Sequence, residues 1–303
     1  MKKSITITKN TIGIIAPSRP IYNIKKEVES GIETLEKSGF AVKRGENLEK
    51  HFYYSAGTSG EKASDFNVMF SNPEVASIIC ATGGSSSNQI LELIDFDVIK
   101  KNPKFFMGYS DITTLLLAIY KKTGLVTFHG PSMYEMSMLN SGAKKMVLDM
   151  IKGREKKFDY PKKMKVLRPG KAKGKLIGGN LTLINSLLAT PYMPDITGII
   201  LFWEEVGDSP AQIDFKLQEL RLSGAFEKIK GMIVGYLSDC VDKKYPQDNR
   251  SIEEIILERT AGYDFPIIKV DYFGHDISNF YTFPIGANAT IDTQHKKFSA
   301  SLR

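Results

Sequence analysis

Up to about residue 131 the chain alternates between two rhythms of apolar and polar positions. "TIGIIAPS" (11–18) is a short apolar run closed by Pro and Ser, which predicts a first strand and its loop. "KKEVESGIETLEKSGF" (25–40) carries Val28, Ile32 and Leu35 at helical spacing and a stop at Gly39. "FAVKRG" starts a second strand. "SGEKASDFNVMFSNPE" predicts a helix capped by Ser59 and ended before Pro73. "VASIICATGG" follows as a strand, "NQILELIDFDVIKKNP" as a helix, "KFFMGYS" as a strand, "ITTLLLAIYKKTG" as a helix and "LVTFHGP" as a strand. Such alternation predicts a mostly parallel sheet with helices on both faces. Ligands in such sheets bind outside the carboxyl ends of the strands, where Pro17-Ser18, Gly83-Gly84, Ser110 and His129 all fall.

After a lysine-rich stretch the rhythm changes. "GKLIGGNLTLINSLLATPYMP" reads as a glycine turn and a helix, "GIILFWEEVG" as a strand, "SPAQIDFKLQELRLSGAF" as a helix and "IKGMIVGYL" as a strand. "PIIKVDYFGH", "YTFPIGANATID" and "KKFSASL" form a strand-rich ending with turns. The expected fold class is α/β. An N-terminal α/β domain over 1–140 is followed by a basic linker over 141–174 and a smaller α+β, barrel-like domain over 175–303.

Composition narrows the class. The chain has 303 residues, 42% hydrophobic and 25% charged, an ordinary globular balance. No apolar run approaches the roughly 20 residues that span a bilayer. The opening "MKKSITITKNTIGIIAPS" lacks the apolar core and cleavage site of a signal peptide, so a cytoplasmic protein is expected. Cys80 and Cys240 have no C-x-x-C partner, so neither a disulfide framework nor a metal site is expected. The net charge of +7 could suggest nucleic acid, but residues 152–175 alone carry 11 Lys/Arg against 2 Asp/Glu. Removing that local +9 leaves the rest at −2, so a solvated linker is favoured over a nucleic-acid patch.

The candidate chemistry starts at "GYSD". Ser110 sits on the corner between a buried strand and a helix, as a helix cap or as a nucleophile on a sharp turn. A serine nucleophile needs a base. His129 and His275 both end strands and are equal candidates; His51 and His295 lie in loops. The base needs an orienting carboxylate, for which Glu204 and Glu205 close an otherwise apolar strand. Alternation lets only one of them face a site, unless both merely mark a solvated strand end. Gly83-Gly84, before "SSSN", is either a plain turn or a source of oxyanion-binding N–H groups. It matches no nucleotide-binding fingerprint.

Taken together, "GIIAPS", "YYSAGT", "ATGGSSSNQILELIDFDVI", "NPKFFMGYSDITTLLLAIYKKTGLVTFHGP", "GGNLTLINSLLATPYMPD", "FWEEVGDSPAQIDFKLQEL" and "FGHDISNFYTFPIGA" resemble the LD-carboxypeptidase and microcin C immunity family of serine peptidases, over nearly the whole chain. The resemblance implies a two-domain enzyme with a Ser–Glu–His triad. It assigns Ser110 as nucleophile, Glu204 as carboxylate and His275 as base, and makes His129 structural. It draws the oxyanion hole from Gly83, Gly84 and the backbone of Asp111. It implies no metal or cofactor, and suggests a homodimer. The stretch from Gly274 to Pro284 is about one residue longer than the family pattern, and a tryptophan before the glutamate is unusual.

The family holds two activities. One removes the terminal D-alanine of a murein tetrapeptide in peptidoglycan recycling. The other cuts the amide between an amino acid and a modified nucleotide, for which an aromatic platform would help. Alternation turns Trp203 away from Glu204 and into the core. The compact "ATPYMPD" and "EEVGDSPAQID" favour the carboxypeptidase, while "GGSSSNQIL" and "FGHD" lean the other way. The expected partner is thus a small peptide or an aminoacyl nucleotide, with no nucleic acid and no membrane. A non-catalytic muropeptide or aminoacyl-nucleotide binder remains as a third reading.

Overall fold

The computed structural model of the chain describes residues 10–154 and 156–302. The segment "MKKSITITK" used in the signal-peptide argument lies outside them. In chain order the described residues form β1 (Thr11–Ile15), α1 (Lys25–Lys37), β2 (Ala41–Arg44), α2 (Ser59–Ser71), β3 (Val75–Cys80), α3 (Phe96–Lys101), β4 (Phe105–Gly108), α4 (Thr113–Thr123), β5 (Thr127–His129), α5 (Met133–Met136) and α6 (Ser141–Ile151). Then come β6 (Lys157–Asp159), β7 (Lys165–Arg168), β8 (Lys171–Asn180), α7 (Leu181–Leu187), β9 (Ile200–Val206), α8 (Pro210–Leu222), β10 (Gly231–Ser238), α9 (Ile252–Arg259), β11 (Ile267–Lys269), β12 (Phe283–Ile285), β13 (Asn288–Asp292) and β14 (Lys297–Ser301).

The chain divides into two compact units. The first runs to Lys156 and takes in 278–286; the second holds 157–277 and everything from Ala287. In the first, the sheet order is β12-β5-β4-β3-β1-β2, parallel except for β12 against β5. This is a doubly wound order whose switch point lies between β1 and β3. Strands β3 and β4 are almost wholly buried because helices cover both faces. Helix α4 is buried at every position from Thr113 to Ile119, as expected for a helix apolar all round.

The second unit holds an eight-stranded mixed sheet, ordered β6-β14-β13-β8-β9-β10-β11-β7. Strands β8 to β11 are parallel and the flanking pairs antiparallel. Laid flat, the four steps from β7 to β8 would separate them by about 19 Å. The chain from Arg168 to Lys171 reaches only about 11 Å. The sheet therefore curls into a half-barrel.

Several local expectations change. The stretch expected as a basic linker holds α6, β6, β7 and the start of β8 instead. The reason is period, not charge. Lys171, Lys173 and Lys175 alternate with the buried Ala172 and the close-packed Gly174, so the lysines line one face of a strand. Lys171 pairs with Asp292 at 2.9 Å. The expected glycine turn is the buried end of β8. A Cβ on Gly178 would lie 1.7 Å from the Phe202 carbonyl, so glycine lets β8 and β9 approach. The helix expected over "NQILELIDFDVIKKNP" breaks into a short 3₁₀ turn and α3, because the Asp95 side chain accepts from Asp97 and Val98 N–H and starts a new helix. Helix α2 is capped by Thr58, with Glu61 completing a capping box, rather than by Ser59.

Candidate active site

The first unit brings Ser110, Gly83, Gly84 and Asp111 together. Strand β4 ends at Gly108, and Ser110 takes up a left-handed backbone, φ 59°, two residues later. That region is costly for a residue with a Cβ and gathers at functional turns. The cap reading fails, since neither the short turn that Ser110 opens nor α4 has a side-chain cap bond. Gly83 lies against the serine: a Cβ there would be 2.9 Å from Ser110 Cβ and 3.1 Å from its Oγ. Gly84, at φ 147°, needs its missing Cβ for the same kind of closeness to Ser18 and Arg19. Its N–H meets no backbone acceptor among the described residues. The Asp111 N–H belongs to a first helical turn, which lacks intrahelical acceptors.

The Asp111 side chain does more than its backbone. Buried at 2% exposure, its carboxylate accepts from Ser18 Oγ at 2.5 Å and from the N–H groups of Ser86 and Ser87, each at 2.8 Å. One carboxylate thus ties the loop after β1, the glycine loop after β3 and the Ser110 corner. Beneath it Lys62, also buried, donates to Ser86 O at 2.8 Å and to Gln89 Oε1 at 3.1 Å. Burial pulls the Lys62 ammonium down to about 8, against an upward pull from Asp111. The sequence reading missed both roles. A signal for Lys62 existed: it shares the apolar face of α2 with Phe66, Met69 and Phe70 at helical spacing.

His129 is fully buried in β5, edge-on to Tyr109 at 6.1 Å and tilted against Phe280 at 5.7 Å. It packs behind the corner, which fits a structural role.

The second unit brings Glu204 and His275 together. Glu204 is fully buried in β9, and its Oε2 lies 2.7 Å from His275 Nδ1. Because a carboxylate only accepts, Nδ1–H donates. The other oxygen, Oε1, has no hydrogen-bond partner among the described residues. Gly274, at φ 129°, brings the imidazole in: a Cβ there would be 2.7 Å from Tyr236 O and 3.5 Å from Glu204 Cβ.

Glu205 faces the other way, by the alternation of the strand. It accepts from Asn180 Nδ2 at 2.8 Å and from Thr182 N and Oγ1 at 3.0 and 2.7 Å, and Lys216 lies 3.5 Å away. Neither glutamate marks a solvated strand end, and Trp203 is wholly core. Among the described residues, no group of three or more His, Cys, Asp or Glu could hold a metal. No helix there is long and apolar enough to cross a membrane.

A family model described as the LD-carboxypeptidase N-terminal domain matches residues 12–130, and one described as the C-terminal domain matches 173–291. Fold and sequence together place the chain among serine-type carboxypeptidases. It belongs to the LD-carboxypeptidase family. The chain is 36% identical to the probable murein peptide carboxypeptidase of Bacillus subtilis, over 95% of this chain and 90% of that one. It is 32% identical to the microcin C7 self-immunity protein MccF of Escherichia coli, over 96% and 92%. Among solved structures, MccF in complex with glutamyl sulfamoyl guanosine superposes with a TM-score of 0.86 at 28% identity, over 99% of this chain and 97% of that one. The muramoyltetrapeptide carboxypeptidase of Oxalobacter formigenes does so at 0.84 and 25%, over 96% and 97%.

Proposed function

We propose that this protein removes the terminal D-alanine from murein tetrapeptides, using Ser110 as nucleophile, His275 as base and Glu204 as its orienting carboxylate. The observation that carries the reading is the 2.7 Å hydrogen bond between the buried Glu204 and the partly exposed His275. With Nδ1 held by the carboxylate, Nε2 is the nitrogen that exchanges protons. His275 takes the Ser110 proton as Oγ attacks the scissile carbonyl. The charge grows on the carbonyl oxygen, where N–H groups of Gly84 and Asp111 receive it, each worth roughly 10²–10³ in rate. Collapse of the adduct breaks the C–N bond, and His275 returns the proton to the departing amine. Water, deprotonated by the same imidazole, then releases the acyl group. Glu204 stabilises the imidazolium throughout, and its second oxygen has no competing donor among the described residues.

A second reading, cleavage of an aminoacyl nucleotide, draws on the likeness to MccF. It is disfavoured because Trp203, fully buried, offers no platform for a base. A binder without turnover leaves the strained, uncapped Ser110 without a purpose. The reading extends to a cytoplasmic protein and, on the family resemblance alone, to a homodimer; sedimentation of the purified protein tests the dimer. The decisive experiment gives wild type and Ser110→Ala a murein tetrapeptide and an aminoacyl sulfamoyl-adenylate, with products read by mass spectrometry. Serine-dependent release of D-alanine is expected; cleavage of the adenylate alone would overturn the choice.

A further inference from the structure

Arg19 is the first charged residue after β1, at the switch point of the parallel sheet, and it is partly buried. Its backbone is pinned to the glycine loop, N–H donating to Gly83 O at 3.2 Å. Its Nε donates to Thr82 Oγ1 at 3.1 Å, and the guanidinium carbon lies 6.0 Å from the Tyr134 ring centroid. The side chain is therefore held at its inner edge and along one face. The outer edge, formed by Nη1 and Nη2, meets no acceptor among the described residues. The other described arginines differ: Arg44, Arg154, Arg250 and Arg259 pair with carboxylates, while Arg168 and Arg221 donate to backbone carbonyls.

Arg19 and Ser110 flank the same glycine pair. Gly83 has no room for a Cβ because of Ser110, and Gly84 has none because of Ser18 Oγ at 2.3 Å and of Arg19, whose N and Cβ would lie 2.7 and 2.8 Å from it. A guanidinium fixed by Nε presents a planar fork that suits a carboxylate bidentately. In a peptide cut at its last residue, the free carboxylate lies only three bonds from the carbon that the serine attacks.

We propose that Arg19 receives the C-terminal carboxylate of the substrate, so that the site reads a peptide end rather than a peptide interior. This deepens the carboxypeptidase reading and rests on it. Arg19 acts as a specificity determinant: it binds the leaving residue and takes no part in proton transfer.

The test separates binding from turnover. In the Ser110→Ala background, which holds substrate uncut, the tetrapeptide with a free C-terminal acid and its C-terminal amide are titrated by calorimetry. The acid is expected to bind about 10- to 100-fold tighter than the amide. Adding Arg19→Gln should collapse that ratio towards one, and Arg19→Lys should leave a reduced preference, because a lysine keeps the charge and loses the fork. An acid-over-amide ratio that survives Arg19→Gln, or that is absent before it, overturns the proposal. So does a selective loss of aminoacyl sulfamoyl-adenylate binding, which would assign the guanidinium to another anion. If wild-type enzyme releases no D-alanine, the carboxypeptidase reading falls, while the binding ratio still decides whether Arg19 reads a carboxylate. The melting temperature of each variant checks that folding is retained.

Discussion

Ser110 and His275 are held in opposite ways. Around Ser110 the positioning is collective: the backbone is strained, Gly83 presses on the side chain, and Asp111 fastens three segments through Ser18, Ser86 and Ser87. Around His275 it is directed: its Nδ1 is bonded to Glu204 Oε2 at 2.7 Å, an approach that Gly274 allows by having no side chain. Two positive-φ residues, Gly274 and Asp276, bracket the imidazole, and Ser238 Oγ donates to the Asp276 carboxylate. Under the proposed roles, the comparison teaches that a nucleophile is aimed by backbone shape, whereas a base also needs its tautomer fixed by a directed partner.

The largest expected effect comes from breaking the directed side. Glu204→Gln keeps the shape but no longer fixes the tautomer, so kcat for the proposed peptide hydrolysis should fall about 10⁴-fold with the fold intact. Circular dichroism and steady-state kinetics on the same preparation check this. Breaking the collective side should cost less in rate and more in stability. Asp111→Asn replaces the charged acceptor that faces three donors with a neutral amide and loosens the glycine loop; kcat should drop about 10²-fold and unfolding free energy by about 2 kcal/mol. Urea titration alongside kinetics separates the two.

Glu205→Gln sharpens the comparison from the neighbouring residue. It should cost about 1–3 kcal/mol, because Thr182 and Lys216 lose a charged acceptor, while kcat stays within a few-fold. A matched loss in both variants of the pair would dissolve the distinction between Glu204 and Glu205.

The smallest effect on turnover is a pH dependence of stability under the Ser110 corner. The folded-state pKa of Lys62 is depressed to about 8 from 10.5. Between those values the unfolded chain binds more protons than the native one, so stability rises with pH across that window. The cost of burying the charge is full below pH 8 and relieved by about pH 10.5. The stability of wild type relative to Lys62→Met should therefore shift in favour of wild type from pH 7.5 to 10.5. Thermal melts across that range would refute the idea if the difference stayed flat.

Much of this was legible in the chain. The strand–helix alternation to residue 131 gave a doubly wound sheet, because a helix-covered parallel strand is apolar throughout and ends at a turn signal. Strand parity separated Glu204 from Glu205 and sent Trp203 inward. Other features were hidden by physics that acts at a distance. The lysines of 165–175 looked like a linker because charge was weighed and the period of two was not. Gly178 looked like a turn because its real constraint, the Phe202 carbonyl, lies on another strand. The Asp111 carboxylate was invisible because its donors lie 24, 25 and 93 positions away.

The route of the chain carries a consequence for how the protein is made. Strand β12, Phe283–Ile285, pairs with β5 and closes one edge of the first sheet, although the rest of that sheet is complete by His129. During synthesis at about 5–20 residues per second, β5 stays an open edge for on the order of 10–30 s before its neighbour leaves the ribosome. An unpaired strand edge invites foreign strands. This protein should therefore depend on chaperones early in its life, and no C-terminal truncation that removes Phe283 should leave a first unit that stays monodisperse.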